Sequence, residues 1–289
     1  MILIDFAGKP CIFFVLILLL VFVQCVDSGN DDDQEDDGAD DDDDDIDELD
    51  EMIFIPGAQY GMGCPSADDS RCEYSYQIVE VNDFYIDQYE VTYLKYAECI
   101  EDGYCTLLQY TETDPKAPAQ GINWYDAGDY CQWREKRLPT SEEWELAARG
   151  PDGGHDYPWG DQWDPLFANW CDGTDCDGSV DGYKDAAPVD AFPENQSPYG
   201  VRNMCGNMME WTSNQVEFPG YDTSCTVRGG AYAPANGMGD PNGALLAWMK
   251  MGDPPHGGGS HIGIRCAKSA DEDNVPAFQI HPDPPARRR

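Results

Sequence analysis

The sequence predicts an α+β domain that is poor in regular secondary structure and held together by crosslinks and bound cations. Three features carry that expectation. Short apolar runs near Ile53 and Ile78 have strand character, and three segments of helical period follow them between Tyr93 and Arg149. From Gly150 onward the chain is rich in Gly, Pro, Asn, Asp and Trp and holds few periodic runs. A large domain with so little regular structure needs disulfides or bound cations to fix its loops.

Taken in order, Ile53-Phe54-Ile55-Pro56-Gly57 forms a first strand and Gly61-Met62-Gly63 a turn. Ile78 to Phe84 alternates apolar with polar and ends at Tyr85-Ile86-Asp87. Glu90-Val91-Thr92 leads into a helix near residues 93–100. A second helix, over 125–136, places Ala127, Tyr130, Cys131 and Arg134 at helical spacing, with Asp126 and Asp129 in its first turns, where the dipole favours them. The third has the plainest signature. Pro139 precedes Thr140, whose hydroxyl can cap the free N–H groups, and Glu143 is placed to reach back in a capping box. Trp144, Ala147 and Ala148 share a face, and Gly150 stands where a left-handed C-cap belongs.

The flanks have their own chemistry. Lys9 precedes an apolar run from Ile12 to Val23, too short to span a bilayer and suited to a secretory signal over residues 1–24. Cys25 resembles a bacterial lipoprotein cleavage site with Cys25 as the lipidated first mature residue. Phe22-Val23-Gln24 departs from the small residues usual there, and the alternative is ordinary secretion with cleavage nearby. Residues 31–51 carry 16 carboxylates and no base. They repel one another and have almost nothing apolar to bury, so 25–51 is expected to be an extended tether off the membrane. Residues 52–270 are long enough for one sizeable core, and 271–289 lack periodicity and suit a disordered tail. The formal net charge is −39 and the part outside the tether is acidic too, which argues against nucleic acid and anionic membrane surfaces as partners.

Twelve cysteines occur, and ten remain once Cys11 in the signal and Cys25 at the anchor are set aside. An even count in an exported chain implies disulfides. Short separations suggest Cys64–Cys72, Cys99–Cys105 and Cys171–Cys176. A zinc site is the rival, but no Cys-x-x-Cys occurs.

Five motifs stand in a set order: Arg137 to Gly150, Tyr157-Pro158-Trp159-Gly160, Asn203-Met204-Cys205-Gly206-Asn207-Met208-Met209-Glu210-Trp211, Val227-Arg228-Gly229-Gly230 and Gly263-Ile264-Arg265-Cys266. Together they resemble the formylglycine-generating enzyme family, also called sulfatase-modifying-factor domains, over roughly Met52 to Lys268. The resemblance implies that family's fold, which is related to C-type lectin-like domains. It also implies a Cys131–Cys266 disulfide, after which Cys205 and Cys225 pair by elimination. Two structural calcium sites are implied. One takes Asn169, the Trp170 carbonyl, Asp181 and the Tyr183 carbonyl; the other takes Asn203, the Gly206 and Met208 carbonyls and Glu210. Calcium prefers such oxygen donors; the alternative is loop carboxylates that only cap turns.

Family members that oxidise a substrate cysteine to formylglycine hold copper(I) between two cysteines in the segment after Arg-Gly-Gly. Here that segment, 231–249, contains no cysteine, and Met238 is the nearby soft ligand. Copper and oxidase activity are therefore not expected, and no catalytic residue is assigned. His256 and His261 flank Gly257-Gly258-Gly259-Ser260 and suit a surface loop better than a metal site; Ser260-His261 lacks a nucleophile elbow, and His155 and His281 stand alone. Tyr232, Trp248 and two methionines in 231–249 suit either ligand binding or core. The expectation is a lipid-anchored, extracytoplasmic domain of the bacterial cell envelope, at the outer membrane or cell surface, that binds a surface protein or glycan. The alternative is a formylglycine-type oxidoreductase.

Overall fold

The structure is a computed structural model, and it describes residues 3–4, 10–13, 23–24, 48–64, 76–171, 176–218, 221–233 and 243–271. The chain divides into two units, Met1–Asp41 and Asp42–Arg289. In the first, strands β1 (Leu3–Ile4), β2 (Pro10–Phe13) and β3 (Val23–Gln24) pair antiparallel in the order β1-β2-β3. The apolar run expected to be a signal, Cys25 and the acidic tether fall largely outside the described residues.

The second unit opens with a 3-10 turn, Glu48–Asp50, then β4 (Met52–Ile55), β5 (Ala58–Met62), β6 (Gln77–Val81) and β7 (Phe84–Asp87). Gly61-Met62 is not a turn. It lies in β5, where Tyr60 and Met62 are buried and pair with Val79 and Gln77. The run expected as one strand over 78–84 is two, broken at Asn82-Asp83, where the Asp83 carboxylate accepts the Gly57 N–H at 2.7 Å. Three helices follow: α1 (Tyr93–Glu101), α2 (Trp124–Trp133) and α3 (Ser141–Arg149). Each has a side-chain N-cap, from Thr92, Asn123 and Thr140 respectively, and α3 has the full capping box with Glu143. Helix α2 stops three residues before Lys136, and Glu135 beyond it adopts φ +57°.

The remaining strands are β8 (Met209–Phe218), β9 (Tyr221–Arg228), β10 (Lys250–Asp253), β11 (Ile262–Gly263) and β12 (Ala267–Ser269). One sheet runs β10-β9-β8-β11, with β11 parallel to β8; a second runs β12-β7-β4; β5 and β6 form a hairpin. The last strand thus closes on the first ones. Trp124, Tyr130, Cys131, Trp211, Ile264 and Cys266 share one apolar cluster beneath α2. A second joins Ile55, Phe84 and Ile86 to Trp144 and Ala147 of α3, and a third gathers Tyr157, Ala168, Cys205, Leu246 and Trp248.

Three disulfides lie among the described residues: Cys99–Cys105, Cys131–Cys266 and Cys171–Cys176. Cys131–Cys266 spans 135 residues and ties α2 to the approach of β12. Cys64 is also disulfide-bonded, while Cys72 lies outside the described residues. The pairing of Cys205 with Cys225 is not made, and both are free and buried. Elimination paired them only because no other partner was left. Folding places Cys205 in the third cluster and Cys225 in the first. The crosslinks suit an oxidising, extracytoplasmic compartment. Among the described residues no helix is long and apolar enough to cross a membrane.

Candidate functional site

The loop from Asn203 to Glu210 carries the second expected ligand set and meets Asn169 of the first. Asn203, Gly206 and Asn207 adopt φ of +56°, +79° and +60°, a left-handed path that Asn and Gly tolerate best. At Gly206 a Cβ would stand 2.4 Å from the Asn169 carbonyl oxygen, so glycine lets the two loops touch. The Asn207 N–H then donates to that carbonyl at 2.8 Å.

Asn207, which sequence reading passed over, is the hub. Its Nδ2 donates to Glu90 Oε1 at 2.9 Å and to the Ala187 carbonyl at 3.2 Å. Its Oδ1 accepts from Asn169 Nδ2 at 3.0 Å and from the Ala187 N–H at 2.8 Å. Asn203 Nδ2 donates to Glu90 Oε2 at 2.8 Å and to the Val189 carbonyl at 2.7 Å. Burial pushes Glu90 up to about 7; Arg265 and the two Asn amides lower it, and Glu210 raises it.

Each amide here is oriented by the acceptors its nitrogen faces, and that orientation leaves oxygens over. Asn169 Nδ2 also faces the Asp185 carbonyl at 2.9 Å, so Asn169 Oδ1 points elsewhere. Asn169 Oδ1, Asn203 Oδ1 and Asn195 Oδ1 are buried without a hydrogen-bond donor among the described residues. Such an atom costs about 1–3 kcal/mol, which a cation would offset. In the first expected set, the Asp181 carboxylate accepts the Trp170 N–H and the Tyr183 N–H, each at 2.9 Å. It therefore draws 169–170 and 181–183 together. Asn169 Oδ1 is an oxygen donor of the kind calcium takes, while both Asp181 oxygens already accept N–H groups.

In the second set Glu210 already has partners within the protein. Its Oε1 accepts from Arg265 Nε at 3.0 Å and NH2 at 2.7 Å, and its Oε2 from Arg265 Nε at 2.9 Å and Trp144 Nε1 at 2.6 Å. Both carboxylate oxygens are thus engaged by a cation the protein supplies itself. Arg265 and Glu210 are fully buried. Burial alone would push the Arg265 guanidinium down, yet Glu210 raises it above its ordinary value, so the guanidinium stays charged. Arg265 also donates to the carbonyls of Asp87, Gln88 and Arg202, stitching β7, this loop and the last strands together. Glu210 anchors the fold, and Glu90 is the carboxylate that faces Asn203.

The segment after Gly230 is described over 231–233 and 243–249, and Met238 lies outside. Trp248 is core, with Nε1 donating to Asp156 Oδ1 at 2.9 Å. Leu245 and Leu246 are fully buried, and Tyr232 is buried with its hydroxyl toward the Ser260 carbonyl at 3.4 Å. The free thiols do not supply a soft-metal pair. Cys205 Sγ donates to the Leu245 carbonyl at 3.2 Å, and burial pushes its thiol far up. Burial, then Asp253, pushes Cys225 up to about 12. Thiolates are disfavoured at both, and they belong to different clusters, so the residues present do not fit copper(I). Among the described residues no three His, Cys, Asp or Glu side chains cluster as a metal site. His256 packs on Tyr125 with ring centroids 4.9 Å apart, and burial lowers the pKa of His261.

Residues 39–270 match the model of the sulfatase-modifying factor enzyme 1-like domain, and the chain belongs to that family. It is 30% identical over 267 residues to the inactive C-alpha-formylglycine-generating enzyme 2 of Mus musculus, covering 76% of this chain and 86% of the relative. It is 42% identical over 105 residues to the formylglycine-generating enzyme of Bos taurus, covering 35% of this chain and 28% of that protein. The fold is similar to that of PvdO from Pseudomonas aeruginosa, with a TM-score of 0.60 at 23% identity over 75% of this chain and 94% of that one.

Proposed function

We propose that this protein is an exported, calcium-stabilised member of the family, held to the cell envelope by a lipid on Cys25 and spaced from it by the acidic tether. It binds or scaffolds a cell-surface protein or glycan and does not catalyse formylglycine formation. The observation that carries this reading is the absence of any cysteine from 231–249, together with two free thiols buried in separate clusters. The relatedness to a protein named as an inactive member supports it. Calcium supplies charge and loop crosslinking and no chemistry. Asn169, the Trp170 carbonyl, Asp181 and the Tyr183 carbonyl hold one ion. Asn203 and the carbonyls of Gly206 and Met208 hold the other.

The local 42% identity to the bovine formylglycine-generating enzyme favours a second reading, oxidation of a substrate cysteine. One assay separates the two. The mature protein is incubated with copper(I), oxygen and a Cys-x-Pro-x-Arg peptide, and the peptide is analysed by mass spectrometry. Unchanged peptide is expected; an aldehyde product restores the catalytic reading.

A further inference from the structure

Residues 152–170 hold three Trp, one Tyr and one Phe beside four Asp, and no Lys or Arg. Their rings form a contiguous array. Tyr157 and Trp159 are stacked at 5.3 Å and 8°, Trp163 lies 5.9 Å from Trp159, Phe167 meets Trp159 edge-on at 5.7 Å, and Trp170 meets Trp163 edge-on at 5.3 Å. Tyr157 is buried and roots the array in the third cluster. Trp159, Trp163 and Trp170 pack on that cluster from outside and remain partly exposed. Leu166 at the edge is 63% exposed. Two indole N–H groups turn inward to the loop's own carbonyls, Trp159 to Gln162 at 2.9 Å and Trp170 to Pro165 at 3.1 Å. The Asp161 side chain, between Trp159 and Trp163 in sequence, is 60% exposed and lies 3.1 Å from His155 Nδ1 through its Oδ1, leaving Oδ2 toward solvent.

We infer that this acidic aromatic surface binds the guanidinium of an arginine in a partner polypeptide. The inference deepens the binding reading proposed above and rests on it. A planar cation can lie flat on an indole face and pair with a nearby carboxylate, and partly exposed indoles among four Asp supply both kinds of group. The rings touch one another, so no ring-walled gap is left to enclose a quaternary ammonium. Anionic ligands are repelled by the four Asp and by the charge of the whole chain. A neutral sugar would use the ring faces but gain nothing from the negative field.

The test is an NMR titration of the nitrogen-15-labelled full chain with an acetylated Gly-Arg-Gly-Arg-Gly amide, its Lys counterpart and a neutral oligosaccharide. The acidic tether attracts any basic peptide, so the readout is the indole N–H resonances of Trp159, Trp163 and Trp170, assigned through single Trp→Phe variants. The Arg peptide is expected to shift them saturably and more tightly than the Lys peptide. Asp161→Asn, which keeps an Oδ1 acceptor for the Asp156 N–H, and Trp163→Ala should each weaken binding about two- to fivefold. Unmoved indoles, equal binding of the Arg and Lys peptides, or a stronger response to the sugar would overturn the inference. An envelope partner recovered equally by wild type and Trp163→Ala would sink this surface while sparing the binding reading. Indoles that respond to the Arg peptide with no envelope partner recovered would do the reverse.

Discussion

Replacing Glu210 by Gln tests whether this residue is an anchor or a calcium ligand. The side chain keeps its size, but its nitrogen now faces the guanidinium donors of Arg265, and one carboxylate oxygen no longer accepts. Arg265 keeps the carbonyls of Asp87, Gln88 and Arg202 and loses its counter-charge while fully buried. Breaking a buried pair from one side costs about 3–5 kcal/mol, a large part of a typical domain's stability. The assay is urea unfolding with disulfides intact, run with calcium and with chelator. The unfolding free energy should fall by that amount in both conditions, and the stabilisation given by calcium should survive. A cost below about 1 kcal/mol, or loss of the calcium increment, would refute the reasoning.

Four further outcomes are expected. Chelation should lower the melting temperature of the wild type, and Asn169→Ala should remove a large part of that response, because it deletes the orphaned Oδ1; identical curves with and without chelator would count against both ions. Cys131→Ala with Cys266→Ala opens a loop of 135 residues, which the chain-entropy model values at about 5 kcal/mol, measurable as a lowered denaturation midpoint. Burial lowers the folded pKa of His261 below its ordinary value. The unfolded chain therefore binds the proton more readily, and stability is lost as pH falls below about 6.5; His261→Gln should flatten that limb of a stability–pH profile. Gly206→Ala, which sets a Cβ 2.4 Å from the Asn169 carbonyl oxygen at a positive φ, should destabilise by more than about 1 kcal/mol in the same unfolding assay.

Local chemistry was legible where it acts within a few residues. Thr140 and Glu143 name the start of α3, and the short spacings of Cys99–Cys105 and Cys171–Cys176 name those loops. The β8–β9 hairpin was hidden because Thr212-Ser213-Asn214 interrupts any alternation, and its register shifts between Trp211 and Gln215. Gly61 suggested a turn because glycine punctuates loops, whereas here it sits in a strand against the Tyr76 ring. Glu210 looked like a cation ligand within its own eight residues; the partner that occupies it is 55 residues further on. Asn207 drew no attention for the same reason, since Glu90, Asn169 and Ala187 reach it only after folding. Counting paired Cys205 with Cys225, and only the packing of two separate clusters keeps them apart.

The account depends on the mature protein having no accessible pair of thiolates. Alkylation counted by mass spectrometry, on native and on unfolded but unreduced protein, tests this most directly. No modified cysteine is expected in the native state and two, Cys205 and Cys225, after unfolding. Two cysteines alkylated quickly in the native protein, and shielded from the reagent by copper(I), would contradict it.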